Sequence, residues 1–176
     1  MMGRRFVIES VLVAIYGQLM VPSRPVEYIL PYSTLAELYE LKDSPEPVMP
    51  DEQEDAHVKS MIGELIQFFE DSLNKKKIER ALAVPWRKSP PILVNEMVSF
   101  TIINSVDNAH YGETFDPIET ELILTAIHEK VPMLTDQIEL VDKMIQGEVP
   151  VQVFDVEDFE FALEDERSSD DFKTLL

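Results

Sequence analysis

The stretch Asp116-Pro-Ile-Glu-Thr-Glu-Leu-Ile-Leu-Thr-Ala126, with Val131-Pro-Met-Leu-Thr-Asp136 close behind it, decides the fold. Asp116 is a residue type whose carboxylate accepts from free amides at a helix start. Pro117 follows at the first helical position, where a missing N–H costs nothing. A helix is therefore predicted over Pro117 to Lys130. Met133 to Thr135 reads as a strand, and it ends on the carboxylate of Asp136. Ile138 to Gln146 then has helical spacing and is stopped by Gly147. Val149 to Phe154 closes as a second strand. The last third of the chain thus reads helix, strand, helix, strand.

The first third has the same alternation. Phe6 to Ile8 is a strand candidate, and Val11 to Met20 an apolar helix broken by Pro22, Ser23 and Pro25. The run after Arg4-Arg5 faintly resembles a signal peptide. However, Glu9 interrupts it, no small-x-small site follows, and it is shorter than the roughly 20 residues that span a bilayer. A buried strand running into a helix is the reading, and no later segment is expected to cross a membrane. Val26 to Leu30 is a second extended piece. Leu30-Pro-Tyr-Ser-Thr-Leu-Ala-Glu-Leu38 then opens a helix over Ser33 to Leu41.

The middle is more varied. Lys42 to Asp55 holds three prolines and six acidic residues and reads as a solvated loop or disordered insert. Ala56 to Glu70 is an amphipathic helix, with Val58, Met61, Ile62, Leu65, Ile66 and Phe69 on one face. Asn74 to Ala83 is another, with Asn74 as its expected cap. Ile92 to Val94 and Val98 to Ile103 are strand-like. Helices alternating with short apolar strands imply an α/β fold: a central, mostly parallel sheet flanked by helices. Residues 1–154 are expected to form one domain, with the Pro-rich acidic insert near 42–55. Residues 155–176 form an acidic tail: Asp155 to Asp171 contains nine acidic residues and one arginine. Phe159 to Ala162 could form a short helix within it. Phe154, Phe159 and Phe161 fit a last element folded back on the core better than a partner-docking segment.

Composition narrows the function. The 176 residues carry a formal charge of −19, which repels polyanions at long range and argues against a nonspecific nucleic-acid coat. Cysteine is absent, so thiolate metal sites and disulfides are excluded, in keeping with a cytoplasmic setting. The five glycines form no phosphate-binding loop, and no serine has the glycine neighbours of a nucleophile elbow. His57, His110 and His128 are scattered without ligand spacing. What remains are carboxylates at strand ends. Glu9, the Asp116–Glu119 cap and Asp136 all fall at the carboxyl edge of the expected sheet, where α/β proteins place their sites. Carboxylates from separate segments meeting there are one way to hold a divalent cation.

At this point the chain resembles the PIN domain family, the small α/β fold of many metal-dependent ribonucleases. Val7-Ile-Glu-Ser10 is similar to the family's opening strand, which ends in an acid followed by a hydroxyl residue. Leu30 to Leu38 resembles its second helix, whose Glu is a metal ligand, here Glu37. Asp116 to Ala126 resembles the helix bearing the third acid, with Glu119 seven residues before Ala126. Met133 to Asp136, then Ile138 to Phe154, resembles the closing strand, helix and strand. The likeness covers about half of the chain, and positions 42–115 have no specific counterpart.

The resemblance implies a ribonuclease cleaving RNA phosphodiesters with Mg2+ or Mn2+. Glu9, Glu37, Glu119 and Asp136 would be the metal ligands, and Ser10 would orient a ligand or the attacking water. The metal would polarise a phosphate oxygen and lower the pKa of that water. Two departures point to a second reading. Glu9 and Glu119 stand where the family usually has Asp, moving each carboxylate outward by about 1.5 Å, one bond length. The family's last acid falls at Gln137 here, with Asp136 one residue early. The alternative is a catalytically degenerate scaffold of the same fold that binds a protein partner. A ribonuclease also needs a basic path for single-stranded RNA. Lys75, Lys76, Lys77, Arg80, Arg87 and Lys88 are six of the fifteen basic residues, and Trp86 among them could stack on a base. The competing reading is a solvated helix face with Trp86 packed under a Pro-rich loop. The acidic tail could also cover this segment as a mimic of nucleic acid. The sequence leaves the oligomeric state open and is compatible with a homodimer.

Overall fold

The computed structural model describes residues 3–105 and 114–164. Strands β1 (Arg4–Val7), β2 (Val26–Pro31), β3 (Ile92–Leu93), β4 (Val98–Ile103), β5 (Met133–Leu134) and β6 (Val153–Phe154) form one six-stranded sheet in the order β3-β4-β2-β1-β5-β6. All pairings are parallel except β3 with β4 at one edge. The fold is therefore α/β with a central, mostly parallel sheet between helices. Chain order reverses direction at β1. From β1 the chain builds outward through β2 to β4, then crosses to the other side for β5 and β6. The C-terminal ends of β1 and β5 thus flank a topological switch point, the place where open α/β sheets leave a crevice.

The strands alternate their side chains between two cores, as pleat geometry requires. Phe6, Tyr28, Leu30, Phe100 and Ile102 face one side, with helices α1 (Val11–Ile15), α2 (Tyr32–Asp43), α3 (Glu52–Glu70) and α4 (Ser72–Leu82) contributing to that core. Val7, Ile29, Ile103 and Met133 face the other, against Leu122, Ile123 and Ala126 of α5 (Pro117–Glu129) and Leu140 and Met144 of α6 (Ile138–Gln146). Burying each such aliphatic side chain contributes about 1.5–3 kcal/mol before entropy is counted.

The structure adjusts the sequence reading in several places. The expected helix over Val11 to Met20 is a short α1 followed by a 3-10 turn at Gly17–Met20. Helix α4 starts earlier than expected, and its cap is Asp71, whose carboxylate accepts from the Leu73 amide; Asn74 instead donates to the Phe68 carbonyl. The acidic Pro-rich insert shrinks to the connection between Asp43 and Glu52. That connection is anchored: Asp55 accepts from the amides of Val48 and Met49, whose side chains pack on the core. The short helix expected at Phe159 to Ala162 is present and longer. A helical stretch at 156–164 packs Phe159 and Leu163 into the first core, with Phe159 edge-on to Phe6 at 5.1 Å. Phe161 of the same stretch is exposed. The rest of the expected acidic tail, like His110, lies outside the described residues.

Candidate functional site

Three chain segments bring acids to the switch point. Glu9 follows β1 and is 7% exposed. Glu37 projects from α2, which begins directly after β2. Asp136 and Gln137 follow β5. Glu9 and Glu37 lie within hydrogen-bonding reach of each other, an arrangement that favours a proton on one of the two carboxyls. Glu9 also accepts from the side-chain amide of Gln137. Burial, then the charge and hydrogen bond of Glu37, then the charges of Asp136 and Asp116, push Glu9 up to about 8. Burial also raises Glu37, with Glu40 and Asp116 adding to the effect and the hydrogen bond to Glu9 opposing it. Asp136 accepts from the Tyr16 hydroxyl at 2.8 Å.

Glu119 is committed elsewhere. It forms a capping box at the start of α5: Asp116 accepts from the Glu119 amide at 2.7 Å, and Glu119 Oε1 accepts from the Asp116 amide at 3.0 Å. That same oxygen accepts from Lys143 Nζ at 2.6 Å. Lys143 extends from α6 and is held in two further ways, donating to the Thr114 carbonyl at 3.2 Å and lying 5.5 Å from the Phe115 ring centre. Around α5 it is therefore Asp116 whose charge is felt by both Glu9 and Glu37, while Glu119 faces an ammonium. The four carboxylates named from the resemblance do not gather as one donor set. Among the described residues, no group of three or more His, Asp or Glu side chains is arranged to hold a metal ion. Of the four acids the resemblance makes ligands of Mg2+ or Mn2+, Glu119 is paired with Lys143 and Asp136 accepts from Tyr16, while Glu9 and Glu37 adjoin one another.

Ser10 is placed for architecture. It is fully buried, and its hydroxyl lies 2.8 Å from Thr34 Oγ1. Thr34 spends its own proton on the Pro31 carbonyl at 2.9 Å, so Ser10 is the donor of the pair. This chain of hydroxyls ties the β1–α1 corner to the start of α2 and fixes the distance between Glu9 and Glu37. Thr34 and Lys143 are the residues the sequence reading did not place in the site; Asp116 and Gln137 it placed at the sheet edge without a role. Asp116 carries a further signal, because Asp116-x-x-Glu119 is the spacing of a capping box and announces that Glu119 turns back on its own helix.

Three of the seven residues of the basic segment have partners. Trp86, with φ 65°, stacks on His128 at 4.6 Å between ring centres, 20° from parallel. Lys88 is bound to Glu129 at 3.0 Å, and Lys77 donates to the Pro91 carbonyl. Lys75, Lys76, Arg80 and Arg87 are exposed. No helix among the described residues is long and apolar enough to cross a membrane. Comparison with models of known protein families and with curated proteins found no match for this chain.

Proposed function

We propose that this chain is a divergent PIN-like domain whose acidic site is catalytically degenerate, and that it works as a protein-binding module, in a cytoplasmic setting. The observation that carries this reading is the Lys143 ammonium on Glu119 at 2.6 Å. A charge that a catalytic cation would have to supply is built into α6 at one of the carboxylates the resemblance makes a ligand. Proton sharing between Glu9 and Glu37 points the same way, because it lowers the site's charge without a metal. The occupied state of Trp86 and Lys88 takes two members from the expected path for RNA.

One observation favours the ribonuclease reading. Glu9 is raised to about 8 by burial and by its acidic neighbours, a cost that a divalent cation between Glu9 and Glu37 would relieve. A cleavage assay on single-stranded RNA with Mn2+ separates the two. The degenerate reading expects no cleavage above background by the intact chain and no difference on Glu9→Gln. Mn2+-dependent cleavage lost in Glu9→Gln and Glu37→Gln would replace it with the nuclease.

A further inference from the structure

Helix α6 carries more apolar surface than the fold covers. At about 100° per residue, its apolar side chains span roughly 160° of the circumference. Leu140 and Met144 take the inner part and are buried. Ile138, Val141 and Ile145, spaced three and four apart, take the outer part. Ile138 is 77% and Ile145 69% exposed.

This outer stripe borders two open concavities of about 430 and 380 Å³, which share Val141 and Val153 and so form one trough. The trough runs beside β6, the last strand of the sheet, whose one strand neighbour among the described residues is β5. Val149 and Val151, in the connection that leads from α6 into β6, and Val153 of β6 itself line the smaller concavity. The rim of the trough is acidic: Asp136, Asp155, Glu157 and Asp158 at one end and Glu148 at the other, all exposed.

We propose that this trough docks an extended, basic amphipathic segment of a partner protein, laid beside β6 with apolar side chains in the two concavities and Lys or Arg against the rim. The proposal rests on the protein-binding reading above and names its surface and partner chemistry. An open strand edge with alternate pockets is the arrangement by which sheets take up a peptide strand. Charge selects the occupant. A second copy of this chain, at −19, would set acid against acid at the rim, and a phosphate backbone meets the same repulsion. A basic segment gains at both ends of the trough, most strongly at low salt.

The test uses the full chain, labelled for amide NMR, with two short synthetic peptides: one alternating leucine and lysine, the other leucine and glutamate. The lysine peptide is expected to shift amides across 138–158 and to bind less tightly as salt rises. The glutamate peptide is expected not to bind. The double variant Ile138→Asp, Ile145→Asp changes two exposed positions and is expected to weaken lysine-peptide binding by about tenfold or more, a loss of about 1.4 kcal/mol. No lysine-peptide binding, equal binding of the glutamate peptide, or binding unchanged in the double variant would each overturn the proposal. So would a dimer in sedimentation that the double variant dissociates, because it would assign the trough to a second copy. Mn2+-dependent RNA cleavage alongside intact peptide binding would sink the degenerate reading and leave the trough standing.

Discussion

The two ends of helix α5 treat buried carboxylates in opposite ways. At its C-terminal end, Glu129 has a side chain only 5% exposed and holds two cationic partners, Arg5 at 2.9 Å and Lys88 at 3.0 Å, with the His128 ring at 2.9 Å as a third contact. Burial alone would raise its pKa, but hydrogen bonds from Lys88, His128 and Arg5 outweigh burial and hold it below the usual carboxylate range. At the N-terminal end, Asp116 lies near Glu9 and Glu37, which have each other and Gln137 for partners and are raised. The lesson is that burial sets the cost of a carboxylate, and the partner decides whether it ionises. A structural carboxylate is given cations. The switch-point pair is given a proton.

This contrast can be broken at either end. The largest effect is expected from Glu129→Ala. It takes a partner from Lys88 and from Arg5, which keeps Glu27 at 2.8 Å, and removing one partner of a buried pair costs about 3–5 kcal/mol. Both cations are about two-fifths exposed (36% and 45%) and regain water, so roughly 2–3 kcal/mol is expected. Urea denaturation at neutral pH checks it; a loss within experimental error would mean that the cluster is a surface network.

The pH dependence should differ in sign at the two ends. Glu9 has a raised folded pKa, so between its ordinary value and about 8 the folded state binds more protons than the unfolded state. Its contribution to stability therefore falls as pH rises through that window and levels off above it. Glu129, lowered by its partners, contributes stability that is present in neutral solution and is lost in acid. Replacing Glu9 by Gln, which copies the protonated acid, should stabilise the fold by roughly 1–3 kcal/mol at pH 9 and by little at pH 5. Equal effects at both pH values would show that Glu9 is not held neutral by its surroundings.

Lys143→Met is expected to cost about 1–2 kcal/mol, since it leaves Glu119 unpaired next to the cap. It should also let Mn2+ stabilise the protein, measured as a saturable rise in Tm that the parent chain lacks. No metal response in the variant would mean that Lys143 does not stand in for a cation. The smallest effect is expected from Lys75, Lys76 and Lys77 changed together to Glu: within about 0.5 kcal/mol of parent stability, and no loss of single-stranded RNA binding at low salt. A large loss of binding there would restore the nucleic-acid path.

Much of this architecture was legible before the fold was known. The run Val98 to Ile103 and the helix Ile138 to Gln146 have the observed bounds, because strong apolar periodicity coincides there with clear flanking residues. The placing of Glu9 and Asp136 at the sheet's carboxyl edge followed from the alternation of elements. Side-chain direction was not legible in the same way. Glu119 kept the spacing expected of a ligand, but its carboxylate is claimed by its own cap and by a lysine 24 residues away. No local pattern announces a pairing at that range. The helical stretch at 156–164 was legible in part: a short helix at Phe159 to Ala162 and a last element folded on the core were expected, while exposed acids masked its extent and the packing of Leu163, four residues from Phe159. A hydroxyl beside an acid is common to active sites and to buried corners, and the contact of Ser10 with Thr34, 24 residues away, was not legible in the sequence.

The account rests on Glu9 and Glu37 handling their charge with a shared proton. A 13C carboxyl NMR titration of Glu9, run with and without millimolar Mg2+, reads this directly. The expected result is a midpoint near 8 that Mg2+ leaves in place. A midpoint that Mg2+ drives down to the ordinary glutamate value of about 4.3 or below would make Glu9 a metal ligand and contradict the account.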